Sequence, residues 1–327
     1  MYNFKNFSIL FVVLCVSVSS MLFIGCDEDS PIDGGDNCPD LGATPTLASE
    51  WVNFVDWNSA ERVELKSIEH QDGSMSYEPS HLEFVAGKPY ILTMTQQGGN
   101  QEKHYFHTTD FYQKIATRKV QTTNAEYKAP YFDDIELVLG GEAELYFVPV
   151  IGGTYELWCT ITGHQAAGME MTVDIICDNG YSLDLEFDHH FNTALGSDPR
   201  RSGSDPVWNT AEEVTLTMIE SSPTEFSFDP DTLFLNVGTA YKLKIENPAG
   251  NSSKHYYTAP EFYQSVVTRK AEDSKAEIKV QYFNAVELLI GGSTELFIVP
   301  TVAGTYEVEC TINGHVAAGM HGYIIVQ

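Results

Sequence analysis

The stretch CTITGHQAAGM, from Cys159 to Met169, returns as CTINGHVAAGM, from Cys310 to Met320. Each copy begins where an alternating run ends, TYELWC (Thr154–Cys159) and TYEVEC (Thr305–Cys310), and a second run follows at Met169–Ile176 and Gly322–Val326. Alternation of apolar and polar residues is the signature of a half-buried strand. The element is therefore strand, loop, strand, and its loop offers a thiol, an imidazole and a thioether at intervals of five residues. A soft donor set of this kind suits copper. Zinc is a poorer match, because it is usually bound by thiolate, imidazole or carboxylate.

The loops sit in a longer duplication. Trp57-Asn58-Ser59-Ala60-Glu61 returns as Trp208-Asn209-Thr210-Ala211-Glu212, an offset of 151 that also relates Gly140-Gly141 to Gly291-Gly292. A period this long indicates duplicated domains, since solenoid repeats are far shorter. The same offset relates Lys103-His104-Tyr105 to Lys254-His255-Tyr256, so each cysteine has a histidine 55 residues before it. Short alternating runs separated by turn residues recur throughout, among them Pro89–Thr95 and Ala143–Val148, then Tyr241–Glu246 and Thr294–Val299. This pattern predicts an all-β chain of two tandem Greek-key β-sandwich domains. The expected bounds are 48–177 and 207–327, joined by a polar linker at 178–206 that contains His189-His190. FYQKIATRK and FYQSVVTRK, within Phe111–Lys128 and Phe262–Lys279, are read as short helices making an excursion from the sandwich.

With these residues in place, each copy resembles a cupredoxin, the blue copper family. The Cys-x4-His-x4-Met loop, with glycine before both His and Met, is closest to rusticyanin and auracyanin. The resemblance covers roughly Trp57–Ile176 and Trp208–Gln327. It implies one type 1 copper per copy, held by His104, Cys159, His164 and Met169 in the first and by His255, Cys310, His315 and Met320 in the second. It also implies an apolar docking face beside His164 and His315. The copies differ: His321-Gly322 follows Met320 in the family manner, whereas Glu170-Met171 follows Met169, and Trp158 precedes Cys159 where Glu309 precedes Cys310.

Lys5 precedes an apolar run ending at Cys26, the layout of an export signal. Phe23-Ile24-Gly25-Cys26 resembles a bacterial lipobox, which implies a signal peptide over 1–25, lipidation of Cys26 and attachment to a membrane. Residues 26–47 are acidic and poor in apolar side chains, as a flexible tether would be. The expected location is the periplasm or cell surface. Cys38 and Cys177 flank the first domain, and in an oxidising compartment they are either a disulfide or two free thiols.

With Lys+Arg 18 against Asp+Glu 46, the formal charge is -28, which argues against nucleic acid as a partner. Two-domain laccases and copper nitrite reductases place histidines beside the blue-copper cysteine, but here no His-x-His or His-Cys-His run occurs in the chain. The sequence is thus read as an electron-transfer protein and not an enzyme, exchanging electrons with redox proteins such as c-type cytochromes or respiratory complexes. Copper storage, delivery or tolerance is the other reading.

Overall fold

Side-chain alternation along His81–Val85, Glu142–Pro149 and Glu170–Ile176 buries Leu82 and Phe84, then Ala143, Leu145 and Phe147, then Met171, Val173 and Ile175. These faces meet across two layers: Phe84 packs edge-on against Phe147 at 5.0 Å, and Phe111 closes on both. Burying such aromatic faces between two sheets is what makes a sandwich. The computed structural model describes residues 47–327, except 98, 100, 109 and 177–192. The signal segment, Cys26, the tether, the Cys38 and Cys177 pair and His189-His190 lie outside the described residues. Within them the chain is all-β, with only single turns of helix between strands.

The strands do not sort by copy. One eight-stranded sheet runs through six strands of the first copy, from Met75–Glu78 to Ala125–Lys128, and continues into Ala285–Leu288 and His255–Tyr257 of the second. An eleven-stranded sheet does the converse. It passes from Glu225–Asp229 to Ala276–Lys279 of the second copy, then into Asp134–Leu137, His104–His107 and three further strands of the first. A three-stranded sheet, Thr232–Leu235, His321–Val326 and Gly304–Glu309, touches the eight-stranded one through the bridge between Thr258 and Glu309. One layer of each sandwich is therefore continuous with a layer of the other.

Two antiparallel seams make this join. Ala125–Lys128 pairs with Ala285–Leu288, and Ala276–Lys279 pairs with Asp134–Leu137. The register sets Glu126 opposite Glu287 and Glu277 opposite Glu136, all four buried. Like charges directly opposed across strands repel. Lysines offset them: Lys119 lies 2.5 Å from Glu126, Lys254 3.0 Å from Glu287, Lys103 2.6 Å from Glu136 and Lys270 2.6 Å from Glu277. A buried ion pair contributes little net stability, yet a slipped register would strand a buried charge. These pairs therefore select one alignment of the two copies.

The segments expected as helical excursions correct that expectation. Only Phe111–Gln113 and Pro260–Tyr263 are helical turns; the chain then enters the strands Ile115–Gln121 and Val266–Glu272, which lead through tight turns into the seams. The reason is compositional. Ile115, Val120 and Tyr127 have a place to bury on a sheet, and β-branched and aromatic side chains favour one.

The double glycines belong to the same join. A Cβ on Gly141 would stand 2.2 Å from the Lys275 carbonyl oxygen, and one on Gly292 would stand 2.0 Å from that of Asn124. Each glycine lets the other copy's turn approach. Gly141→Ala and Gly292→Ala are each expected to cost about 1–3 kcal/mol, the usual penalty for overpacking. Gly250→Ala, which meets nothing within 4 Å, is the neutral control. Urea unfolding midpoints check all three.

Candidate metal centres

Cys159 lies just past the strand Gly153–Trp158, and its N–H donates to the Met169 carbonyl at 3.1 Å, tying the two ends of the loop together. Inside the loop the Met169 N–H donates to the His164 carbonyl at 3.0 Å. The second copy repeats both bonds, from Cys310 to Met320 at 3.1 Å and from Met320 to His315 at 2.9 Å. Gly168 and Gly319 have φ of 105° and 104°, a left-handed conformation that other residues adopt only with strain. A Cβ on either would also press on a backbone oxygen, Met75 at 2.8 Å or Phe226 at 2.9 Å. The glycine before each methionine thus fixes the loop against the neighbouring strand.

His104 opens the strand His104–His107, paired with Leu137 at the edge of a seam, and His255 is paired in the same way with Leu288. The seams thereby deliver these imidazoles to the loops. In the first copy, Nδ1 of His104 lies 3.1 Å from Nδ1 of His164, and the Cys159 Sγ lies 3.9 Å and 3.4 Å from those two nitrogens. In the second, the matching separations for His255, His315 and Cys310 are 3.1, 4.0 and 3.4 Å. All six side chains are buried. Each sulfur also accepts a backbone N–H, from Tyr105 at 3.4 Å or Tyr256 at 3.3 Å.

Carboxylates hold the outer edges of three of the four imidazoles. Glu69 accepts from Nε2 of His104 at 3.1 Å, Glu220 from Nε2 of His255 at 2.9 Å, and Glu102 from Nε2 of His164 at 2.7 Å. A proton fixed on Nε2 leaves the Nδ1 lone pair facing inward, beside a sulfur. Two inward lone pairs 3.1 Å apart repel unless a cation lies among them. The residues present therefore fit a metal that takes two imidazoles and a thiolate, and copper is the best match. Burial pushes the Cys159 and Cys310 thiols up and the His104 and His255 imidazoles down, so the metal-free clusters carry little buried charge.

Met169 and Met320 are wholly buried at the ends of the loops, each bonded through its backbone to the cysteine and the second histidine. Met171 is buried in the core, opposite Leu157. His107, three residues past His104, is half-buried, 2.7 Å from Asp134 and edge-on to Trp158 at 4.7 Å. It takes no part in the cluster. Sequence reasoning missed the carboxylates. Glu69 and Glu220 do share the repeat offset, but so do many residues that have no such role. Glu102 has Ser253 as its counterpart, and so left no signal at all.

No protein-family model and no curated protein sequence matches the chain. Solved structures do. A multicopper oxidase from Campylobacter jejuni aligns with TM-score 0.31 and 9% identity over 82% of this chain, which spans 64% of that protein's length. A copper nitrite reductase from Nitrosomonas europaea aligns at 0.27 and 11%, covering 82% of this chain and 94% of that one. A laccase-like multicopper oxidase from Ochrobactrum aligns at 0.31 and 10%, covering 82% and 67%.

These findings correct one expectation. The reading of the chain as no enzyme rested on missing His-x-His and His-Cys-His runs in the sequence. The structure assembles two His-Cys-His groups in space, each joining a cysteine and a histidine of one loop to a histidine from 55 residues before that cysteine. Adjacency in sequence is thus no guide to which copper chemistry the chain supports, and the exclusion does not stand.

The carboxylates also set a pH dependence. Burial alone would raise the Glu220 carboxyl, but hydrogen bonds from Ser252 and Ser253 outweigh it and hold the group at about 2, against an ordinary 4.5. A depressed carboxylate contributes stability that is complete above its unfolded value and is lost as pH falls toward its folded value. In metal-free protein, the deficit of Glu220→Gln in urea unfolding should therefore be full at about pH 6 and shrink between about pH 4.5 and pH 2.

Proposed function

We propose that the chain is an exported copper redox protein that holds one type 1 copper in each copy and passes single electrons through it. The observation that carries this reading is the doubled cluster: two imidazole Nδ1 atoms and a thiol sulfur converge in each copy, with all donor atoms of a group within 4.8 Å of one another. His104, Cys159 and His164 would hold one metal, and His255, Cys310 and His315 the other. Met169 and Met320 would each offer a thioether to the metal from the end of the same loop. When bound, copper supplies a one-electron couple; the protein's part is to keep the donors in one arrangement and exclude water.

The support for redox work over copper storage or delivery is burial. His104 and His255 are 0% exposed and their partners no more than 8%, which favours retention of a metal over its release. Electron partners such as c-type cytochromes or respiratory complexes, and attachment to a membrane through Cys26, remain part of the proposal on the sequence resemblance.

The copper-loaded protein should show the intense visible absorbance of a thiolate bound to Cu(II), and its absence would sink the reading. Cys159→Ser and Cys310→Ser should each remove about half of that band. Stopped-flow reoxidation then identifies the electron acceptor. Rapid exchange with a c-type cytochrome supports a protein partner, whereas faster reoxidation by dioxygen or nitrite would assign the electrons to a small substrate.

A further inference from the structure

The two copies place the same backbone around their clusters and differ in one charged side chain that is hydrogen-bonded to an imidazole of the cluster. The Glu102 N–H donates to Glu69 at 2.8 Å, and the Ser253 N–H donates to Glu220 at 2.8 Å, so positions 102 and 253 are superposable in hydrogen bonding. In the first copy the side chain at this position turns back and accepts from Nε2 of His164 at 2.7 Å. Serine in the second copy is too short to do so, and Nε2 of His315 has no hydrogen-bond partner among the described residues. Phe226 lies against His315 instead, with ring centroids 4.4 Å apart; Met75 occupies the matching position in the first copy. The cavity that borders His315 is lined by Leu289, Ile290 and Ile312 together with Ser252, Ser253 and Lys254.

We infer that Glu102 is a positioning residue that makes the two centres unequal, so that the first holds the oxidised metal more firmly and is the harder to reduce. This rests on the copper reading above. A carboxylate bonded to the far nitrogen of a ligating imidazole fixes its tautomer and raises its basicity. A more basic imidazole beside an anion stabilises the more highly charged metal ion. Glu69 and Glu220 supply this effect to both copies and largely cancel. Glu102 adds it to the first alone. In the second, the face of Phe226 lies against His315 and no carboxylate among the described residues reaches its Nε2, which works against added positive charge. Glu102 and Phe226 act in one direction; Glu309, beside Cys310 where the first copy has Trp158, bears on the sulfur and not on an imidazole. The side chain of Glu102 is 55% exposed, so solvent weakens its effect without removing it, and its replacement leaves the core untouched.

The test uses the full chain. Cys310→Ser leaves only the first blue centre and Cys159→Ser only the second, and spectroelectrochemical titration of the visible band gives each potential separately. The first should be the lower, by at least about tenfold in the equilibrium constant for electron exchange between the two, which is about 59 mV for a one-electron couple. Glu102→Gln in the Cys310→Ser protein should raise the potential, and Ser253→Glu in the Cys159→Ser protein should lower it. Equal potentials, or no shift with Glu102→Gln, would overturn the inference. Metal-free protein gives an independent reading by imidazole NMR. The Nε2 proton of His164 should exchange slowly with water and that of His315 fast, and Glu102→Ala, which removes the acceptor, should abolish the difference. Equal exchange in the unsubstituted protein also overturns it. Loss of the visible band in every variant would instead defeat the copper reading, and the NMR result would still decide what Glu102 does to His164.

Discussion

Backbone hydrogen bonding across the seams is the constraint on which everything else depends. A strand edge left open presents unpaired N–H and C=O groups, and here each copy closes its edges with strands of the other. The strands that carry His104 and His255 are the next neighbours in line, paired directly to Asp134–Leu137 and Ala285–Leu288. Tyr105 and Tyr256, one residue beyond those histidines, reach back across the join to Glu277 and Glu126. Position at the metal cluster is thus set by pairing between copies as much as by the fold of either copy. A disturbance at the join would be felt one strand away, at an imidazole.

Much of the site is legible in the sequence, because its chemistry is local and repeated. Cys159, His164 and Met169 share one loop, and the doubled spacing singled out His104 from the other histidines without help from three dimensions. The all-β class was legible for a similar reason: a period of two in hydrophobicity survives wherever one face of a sheet is buried. What stayed hidden was non-local. Glu69 and Glu102 act on histidines 35 and 62 residues away, and acidic residues are common enough in this chain that nothing marked these out.

The join between copies was illegible for another reason. Ala125–Lys128 and Ala276–Lys279 are only four residues long and carry glutamate and lysine beside one or two apolar residues. Read singly, AEYK and AEIK look like polar turns. Their glutamates become interior residues only because lysines from neighbouring strands meet them, a fact about pairing that composition cannot express. The preceding segments FYQKIATRK and FYQSVVTRK look helical in isolation for want of the same information, since only the sheet they enter makes sense of their β-branched residues.

The shared sheets also bear on what a duplication can become. Two identical chains meeting through such strands would form a symmetric pair in which every substitution appears twice. Joined in one polypeptide, the halves keep the arrangement of a dimer but are released from its symmetry. A single codon can then alter one centre and spare the other, as Glu102 against Ser253, Trp158 against Glu309 and Met75 against Phe226 show. Covalent linkage has turned a symmetric scaffold into a device with two distinguishable ends.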